Sequence, residues 1–267
     1  MTPLSRLADT LIPSEIIKLG NEINERIRQG HVIHNFTIGD FDPAVFPIPE
    51  ALETQIIKAY QDKKTNYPMA NGIPACREAV AHFIRRKQGL DYGTNDFLIS
   101  GGGRPLIYAT YRTLCDPGDK IIYPVPSWNN NHYTHFVDGE HVKLQATPEH
   151  HFLPTAASLL PHLKGATMIA LCSPLNPTGT VFSREQLLQI GEAVLAENKR
   201  RKADEKKLYI LYDQIYWTLT YGDAVHYDPV SLIPELRDYT VYIDGISKAF
   251  CATGVRVGWA FGPSVVI

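Results

Sequence analysis

The chain has few of the features that mark disulfide-rich, membrane or nucleic-acid-binding proteins. It contains only four cysteines, and none of them forms a C-x-x-C pair, which argues against a disulfide framework. No apolar run reaches membrane-spanning length, and the first residues lack a secretory pattern. The net charge of −2 leaves no basic footprint for nucleic acid. We therefore expect a cytoplasmic protein that binds neither membranes nor nucleic acid.

The histidines do not form a metal-binding pattern, although there are ten of them. The pairs His31/His34 and His132/His135 have i, i+3 spacing, but neither lies in an H-E-x-x-H frame. No cysteine stands close enough in the sequence to complete a zinc site. We therefore predict that the protein holds no metal.

A regular alternation of apolar strands and helices is present instead. With 44% hydrophobic residues, the chain can build a substantial core. Such alternation predicts an α/β fold with a mainly parallel sheet, in which ligands bind at the carboxyl ends of the strands. The predicted strands are 97–100, 120–123, 168–172, 208–212, 240–243 and 258–262, and the predicted helices are 14–29, 50–62, 74–87, 104–115 and 183–202.

A lysine and an aspartate each follow one of these strands. Lys248 comes after the strand at 240–243 and Gly245, where desolvation would lower the pKa of its amine and make it nucleophilic toward an aldehyde. Asp213 ends the strand at 208–212, and its carboxylate could stabilise a protonated pyridine ring. Taken singly, each residue has an ordinary alternative: an exposed loop lysine, and an aspartate that caps a helix.

Further polar groups follow other strands in the same way. Asn176, in Asn-Pro-Thr-Gly, and Tyr216 could both reach a phenolic oxygen, although the asparagine also suits a plain turn. The run Gly101–Gly103 opens a helix and makes an anion site, which Ser247 and Arg256 could complete. Trp128 could stack on a flat heterocycle or pack in the core. Together these groups are what a protein needs to hold pyridoxal phosphate.

As a set, these motifs resemble the class I/II aminotransferase family of fold-type I pyridoxal-phosphate enzymes. The most specific are Asn176-Pro-x-Gly, Asp213-x-x-Tyr216 and Ser247-Lys248 with Arg256 downstream, and the resemblance runs from about residue 38 to 262. It implies a pyridoxal-phosphate transferase-like large domain at 45–267, incomplete at its C-terminal end. Residues 1–44 would form an N-terminal arm and part of a small domain. The segment with the arginine that binds the substrate carboxylate would then be missing.

The resemblance also implies a role for each site residue. Lys248 would form the Schiff base with the cofactor and shuttle the proton, with Asp213 and Tyr216 as the other catalytic residues. Gly39 would lie near the substrate carboxylate. The role of Arg104, which follows the glycines, stays open between phosphate, substrate and surface. The cofactor-binding residues would be Tyr67 from a neighbouring subunit, Gly102, Gly103, Arg104, Trp128, Asn176, Asp213, Tyr216, Ser247, Lys248 and Arg256.

The expected activity is transfer of an amino group between an amino acid and a 2-oxo acid, carried out by a homodimer. Two alternatives remain at this point. A pyridoxal-phosphate-dependent carbon–sulfur lyase would use the same cofactor residues, and a truncated non-catalytic fragment would keep the fold without turnover. The sequence does not identify the amino acid.

Overall fold

A single mixed sheet organises the part of the chain that the structure describes. The computed structural model describes residues 4–37 and 39–267, so Ile38, where the family resemblance begins, lies outside it. The strands are β1 (Phe97–Ser100), β2 (Lys120–Val125), β3 (Glu140–Gln145), β4 (Ala166–Cys172), β5 (Tyr209–Asp213), β6 (Thr240–Gly245) and β7 (Gly258–Phe261).

Helices flank this sheet and precede it in the chain. Within the described ranges, none of them combines the length and the apolar character that crossing a bilayer demands. The helices are α1 (Arg6–Asp9), α2 (Glu15–Arg28), α3 (Glu50–Gln61), α4 (Pro74–Gln88), α5 (Gly103–Leu114), α6 (Asn130–Phe136), α7 (Ala156–Leu159), α8 (Arg184–Arg200), α9 (Pro229–Leu232) and α10 (Ile246–Ala249).

The order of the strands decides where the polar groups can meet. The order is β1-β7-β6-β5-β4-β2-β3, and β7 runs antiparallel to both of its neighbours while the other pairs are parallel. The predicted α/β class with a mainly parallel sheet is therefore confirmed. Because β7 alone is reversed, its amino end lies at the same edge as the carboxyl ends of the other six strands.

Apolar side chains cover both faces of the sheet. The six residues of β6 and the first six residues of β4 are all buried, which is typical of strands covered by helices on both sides. One core cluster contains Phe97, Tyr212 and Phe261, and the other contains Ile121 and Val241. The two clusters hold the central strands in place, so the loops at their ends start from fixed positions.

Most predicted elements appear within a residue or two of their predicted bounds. The helix that starts after Ser183 has the expected capping box, in which Ser183 and Gln186 exchange side-chain to backbone hydrogen bonds. The strand expected to end before Pro124 instead continues to Val125. Pairing of β2 with β4 stops at Ile122, so Pro124 lies where the strand has only one partner, a position that tolerates proline.

The N-terminal helix α2 leaves its apolar face open. The helix forms where the sequence predicts it, yet Gly20 is its only buried residue. The side chains that would normally pack against another element, Ile16, Ile17, Leu19 and Ile27, are between 38% and 49% exposed. This helix is therefore attached to the described chain by very little buried apolar surface.

Candidate active site

The carboxyl edge of the sheet gathers the residues that the sequence analysis singled out. Asp213 is the last residue of β5, and Lys248 lies in α10 directly after β6. Asn176 follows β4, and Gly102 follows β1. Arg256 precedes the reversed strand β7 and so comes to the same edge. Groups that are far apart in the sequence thus line one cleft.

Lys248 is half-buried in this cleft. Its Nζ donates a hydrogen bond to the carbonyl oxygen of Gly39 and lies 5.8 Å from the centre of the Tyr216 ring. Burial lowers the pKa of the Lys248 amine, and the positive charges of Arg104 and Arg256 act in the same direction. Asp40 opposes them. A lowered pKa increases the fraction of neutral amine, which is the form that attacks an aldehyde.

Asp213 is an acid without a cationic partner among the described residues. Among the described residues, the only hydrogen bond that its side chain makes is the one that the carboxyl accepts from the backbone N–H of Ile215, at 3.0 Å. Burial raises the pKa of Asp213 to about 6, although that hydrogen bond lowers it. An acid in this situation gains from a cation placed beside it. A protonated ring nitrogen is such a cation.

Asn176 and Tyr216 lie next to each other, as the sequence suggested. The Asn176 amide donates to the Tyr216 hydroxyl at 3.3 Å. Burial raises the pKa of Tyr216 to about 12, so its hydroxyl stays protonated and can donate in turn. Gly39 also reaches this point, since a Cβ built on it would lie 3.9 Å from the Tyr216 oxygen. The Asn176 amide, the Tyr216 hydroxyl and the backbone of Gly39, which has no side chain, therefore lie together beside Lys248.

A narrow cradle forms where Gly102 faces Arg256. Gly102 has φ +99°, and a Cβ there would lie 2.3 Å from an Nη atom of Arg256. The Arg256 guanidinium donates to the carbonyl oxygens of Gly101, at 3.1 Å, and Thr253, at 2.7 Å. Gly102 is also the N-cap of α5, so free N–H groups and a positive helix end face the same space. This is a site for an anion such as a phosphate.

Close backbone packing holds this cradle against the sheet. A Cβ on Gly258, the first residue of β7, would lie 2.7 Å from the carbonyl carbon of Gly102 and 2.9 Å from the nitrogen of Gly103. Both contacts are to backbone atoms, which cannot rotate away. A glycine at 258 is therefore required for the loop at Gly102 and Gly103 to approach β7 this closely.

Arg104 and Trp128 face each other across the cleft. The guanidinium carbon of Arg104 lies 5.9 Å from the centre of the Trp128 ring, within the range of a cation–π contact. The sequence left the role of Arg104 open between phosphate, substrate and surface. Its contact with Trp128 and its effect on the pKa of Lys248 place it in the cleft.

Two predicted residues are less connected to the cluster. Ser247 is buried at the second position of α10, beside Lys248. Tyr67 is fully exposed, and within residues 4–37 and 39–267 no hydrogen bond or aromatic contact joins it to the other predicted site residues.

Other polar residues of the cleft escaped the sequence analysis. Asp40 lies beside Lys248, and its carboxyl accepts hydrogen bonds from the Thr253 hydroxyl at 2.7 Å and the Phe41 N–H at 2.9 Å. Those two bonds and the charge of Lys248 lower the pKa of Asp40. The only sequence signal for Asp40 is that it follows Gly39, which the family resemblance places near the substrate carboxylate.

A separate cavity of about 660 Å³ lies beside the cleft, between α4 and the segment from Trp217 to Asp228. None of the predicted site residues lines it, so it is distinct from the cleft that holds Lys248. Across the described part of the chain, no group of three or more His, Cys, Asp or Glu side chains is placed to hold a metal ion.

The mixed sheet and the polar residues at its carboxyl edge define an α/β domain of the fold-type I class. A family model described as aminotransferase class I and II matches residues 32–267. The chain therefore belongs to the class I and II aminotransferase family, whose members use pyridoxal phosphate.

Several similar proteins are aspartate aminotransferases. The chain is 31% identical to the enzyme of that name from Geobacillus stearothermophilus, over 99% of this chain and 65% of that protein. It is 32% identical to the aspartate/prephenate aminotransferase of Thermus thermophilus, over 100% of this chain and 66% of that one. The structure of Thermus thermophilus aspartate aminotransferase with maleate superposes with a TM-score of 0.90 at 29% identity, covering 66% of its chain. The chain thus spans about 65% of the length of these relatives.

Proposed function

We propose that this chain binds pyridoxal phosphate through Lys248 and supplies the cofactor-binding part of an aminotransferase. The observation that carries the proposal is the placement of Lys248 and Asp213 at the carboxyl ends of the adjacent strands β6 and β5. One is an amine of lowered pKa, and the other is a partly buried acid of raised pKa that has no cationic partner among the described residues. These are the two groups that the cofactor's aldehyde and ring nitrogen require.

The surrounding residues fit the rest of this cofactor. A phosphate suits the cradle of Gly102 and Arg256, because the N-terminus of α5 and the guanidinium both offer N–H donors to an anion there. The donors of Asn176 and Tyr216 suit a phenolic oxygen, and the indole of Trp128 suits stacking on the ring. Ser247 and Gly103 would add phosphate contacts.

When bound, pyridoxal phosphate supplies an aldehyde that combines with amines and a ring that accepts electrons. The chain's own residues do the rest. Lys248 Nζ would be the point of attachment, and its free amine would be the base that moves the α-proton of the substrate. Asp213 would keep a proton on the ring nitrogen, while Tyr216 and Asn176 would hold the phenolic oxygen in place.

The proposed substrates are an amino acid and a 2-oxo acid. The names of the relatives make aspartate the first amino donor to test. We further propose a homodimer in which the fully exposed Tyr67 reaches the phosphate of the second subunit. The open apolar face of α2 supports the assignment of residues 1–44 to an arm and part of a small domain. The cytoplasmic location stays a prediction.

The proposal is tested with the 267-residue chain, pyridoxal phosphate, ¹⁵N-labelled aspartate and 2-oxoglutarate. We expect borohydride to fix a pyridoxyl group on Lys248, and the appearance of ¹⁵N in glutamate would show that the chain also turns over. A parallel reaction with a cysteine-type substrate separates the alternatives, because sulfide and pyruvate formation would indicate a carbon–sulfur lyase. Adduct formation without turnover would indicate a non-catalytic fragment. Absence of any adduct at Lys248 would contradict the whole proposal.

The phosphate cradle allows a sharp mutational test with a neighbouring control. In G102A the new methyl group would displace the Arg256 guanidinium, and an alanine at φ +99° is strained. Since a hydrogen bond to a charged group contributes about 1.5–3 kcal/mol, we expect the Kd for pyridoxal phosphate to rise by about 10- to 100-fold. In the control G101A, a Cβ would meet no atom within 4 Å. Equal affinities of the two variants, measured by fluorescence titration, would show that the cradle does not bind phosphate.

A further inference from the structure

A buried carboxyl group lies directly behind the cleft. Asp244, in β6, is only 2% exposed. Its side chain accepts three hydrogen bonds: from the Gly245 N–H at 2.7 Å, from the Trp217 indole N–H at 2.8 Å and from the Gln214 amide at 3.3 Å. Three donors satisfy most of the acceptor capacity of one carboxylate, so the group is fixed in place.

The three donors come from the two segments that carry the cleft residues. Gln214 directly follows Asp213, and Trp217 directly follows Tyr216. Gly245 is the last residue of β6 and the N-cap of α10, which carries Lys248. The carboxyl of Asp244 therefore joins the segment that would bind the cofactor ring to the segment that would attach its aldehyde.

Neighbouring contacts make this junction rigid. The backbone N–H of Gln214 donates to the carbonyl oxygen of Ile243 at 2.9 Å, which extends the pairing of β5 with β6. The Gln214 side chain also exchanges hydrogen bonds of 3.0 and 3.1 Å with Gln88 of α4. Movement of Gln214 would thus disturb the sheet edge and α4 together.

We propose that Asp244 is a positioning residue that fixes the segment of Asp213 and Tyr216 relative to Lys248. This inference rests on the proposed function. Asp244 would set the distance between the residues that bind the two ends of the cofactor, although it would touch neither end itself. Hydrogen bonds from a second layer of residues often decide the orientation of groups that react, and small displacements are costly for catalysis.

The electrostatics of Asp244 agree with this role. Burial raises the pKa of the carboxyl to about 7, and the hydrogen bonds of Gly245, Trp217 and Gln214 lower it. The nearby charge of Asp213 raises it further. This carboxyl is buried and contacts no ligand, so we assign it the role of accepting hydrogen bonds from these three donors.

The test compares D244N with D228N in the chain reconstituted with pyridoxal phosphate. The Trp217 and Gln214 donors both point at Oδ2 of Asp244, so an asparagine whose amide nitrogen takes that position loses both contacts. Asp228 is a matched control, since it is also buried and accepts hydrogen bonds from Tyr242 and two backbone N–H groups at the start of α9. Both variants should lower the unfolding temperature.

Only D244N should change the cofactor site. We expect its Kd for pyridoxal phosphate to rise about tenfold, and the pH at which the lysine-linked cofactor changes its absorbance to shift by about half a pH unit or more. D228N should leave both values as in the wild type. If D244N loses stability like D228N while both values stay unchanged, Asp244 is merely structural and the inference is overturned.

Two further variants complete the test. Q214E should weaken cofactor binding by itself, because it sets a second acid against Asp244, and Q214E/D244N should restore part of the affinity by exchanging donor and acceptor. If D244N does not fold, W217F removes a single donor to Asp244. The same two measurements, the Kd for pyridoxal phosphate and the pH of the absorbance change, then test the inference. Failure of the proposed function is distinct, because the wild type would then show no lysine-linked absorbance at all.

Discussion

Replacement of Lys248 by alanine is expected to remove the covalent attachment of pyridoxal phosphate and at least about 10³-fold of any turnover. The variant loses both the amine that joins the aldehyde and the base that moves the α-proton, and a positioned base alone contributes about 10²- to 10⁴-fold. The measurement is borohydride reduction followed by peptide mass mapping, together with the rate of ¹⁵N transfer from aspartate.

The control for this experiment is K164A, which removes an exposed lysine that precedes β4. We expect K164A to keep the adduct at Lys248 and the wild-type rate. Adducts spread over surface lysines in both variants, or an undiminished rate in K248A, would show that Lys248 is not the attachment point.

The D213N variant should have the second-largest effect. An asparagine cannot pair with a protonated ring nitrogen, and removal of one partner of a buried ion pair costs about 3–5 kcal/mol. We therefore expect turnover to fall on the order of 10²- to 10³-fold while the adduct at Lys248 still forms. D204N, which alters an exposed acid in the loop after α8, is the control. An unchanged rate for D213N would mean that Asp213 does not pair with the ring.

The same variant should change how stability depends on pH in the cofactor-free chain. Burial raises the pKa of Asp213 from 3.8 to about 6. Its stabilising contribution is therefore complete below pH 3.8 and is lost as the pH rises through about 6. Urea unfolding at pH 4.5 and 7.5 should show a smaller loss in D213N than in the wild type. Asp244, with its pKa of about 7, should leave part of the loss in both.

Strand ends were the most predictable part of this molecule. Apolar runs such as 97–100 and 208–212 have to be buried, and the polar residues that follow them have to emerge at an edge. For that reason the sequence was sufficient to bring Lys248, Asp213 and Asn176 to one cleft. The edge strand β3 was missed because Glu140–Gln145 carries polar side chains on its exposed positions, which leaves little apolar signal.

The Asp244 network was beyond sequence reasoning for a different reason. Its three hydrogen bonds depend on the register of β5 against β6 and on the turn that carries Trp217. Neither is encoded in a local pattern, and a buried acid at the end of a strand also suits a plain cap. The close approach of Gly258 to Gly102 likewise follows from strand order, which a single sequence does not reveal.

The pairing of β1 with β7 also has a consequence for how the protein is made. These strands lie next to each other in the sheet although about 160 residues separate them in the chain, and contacts of such separation form late and slowly. On the ribosome, where synthesis proceeds at about 5–20 residues per second, the helix after Gly102 emerges long before Arg256. A nascent chain therefore cannot bring Gly102 and Arg256 together until β7 has been released and has paired, so the proposed capture of the cofactor would follow synthesis of β7.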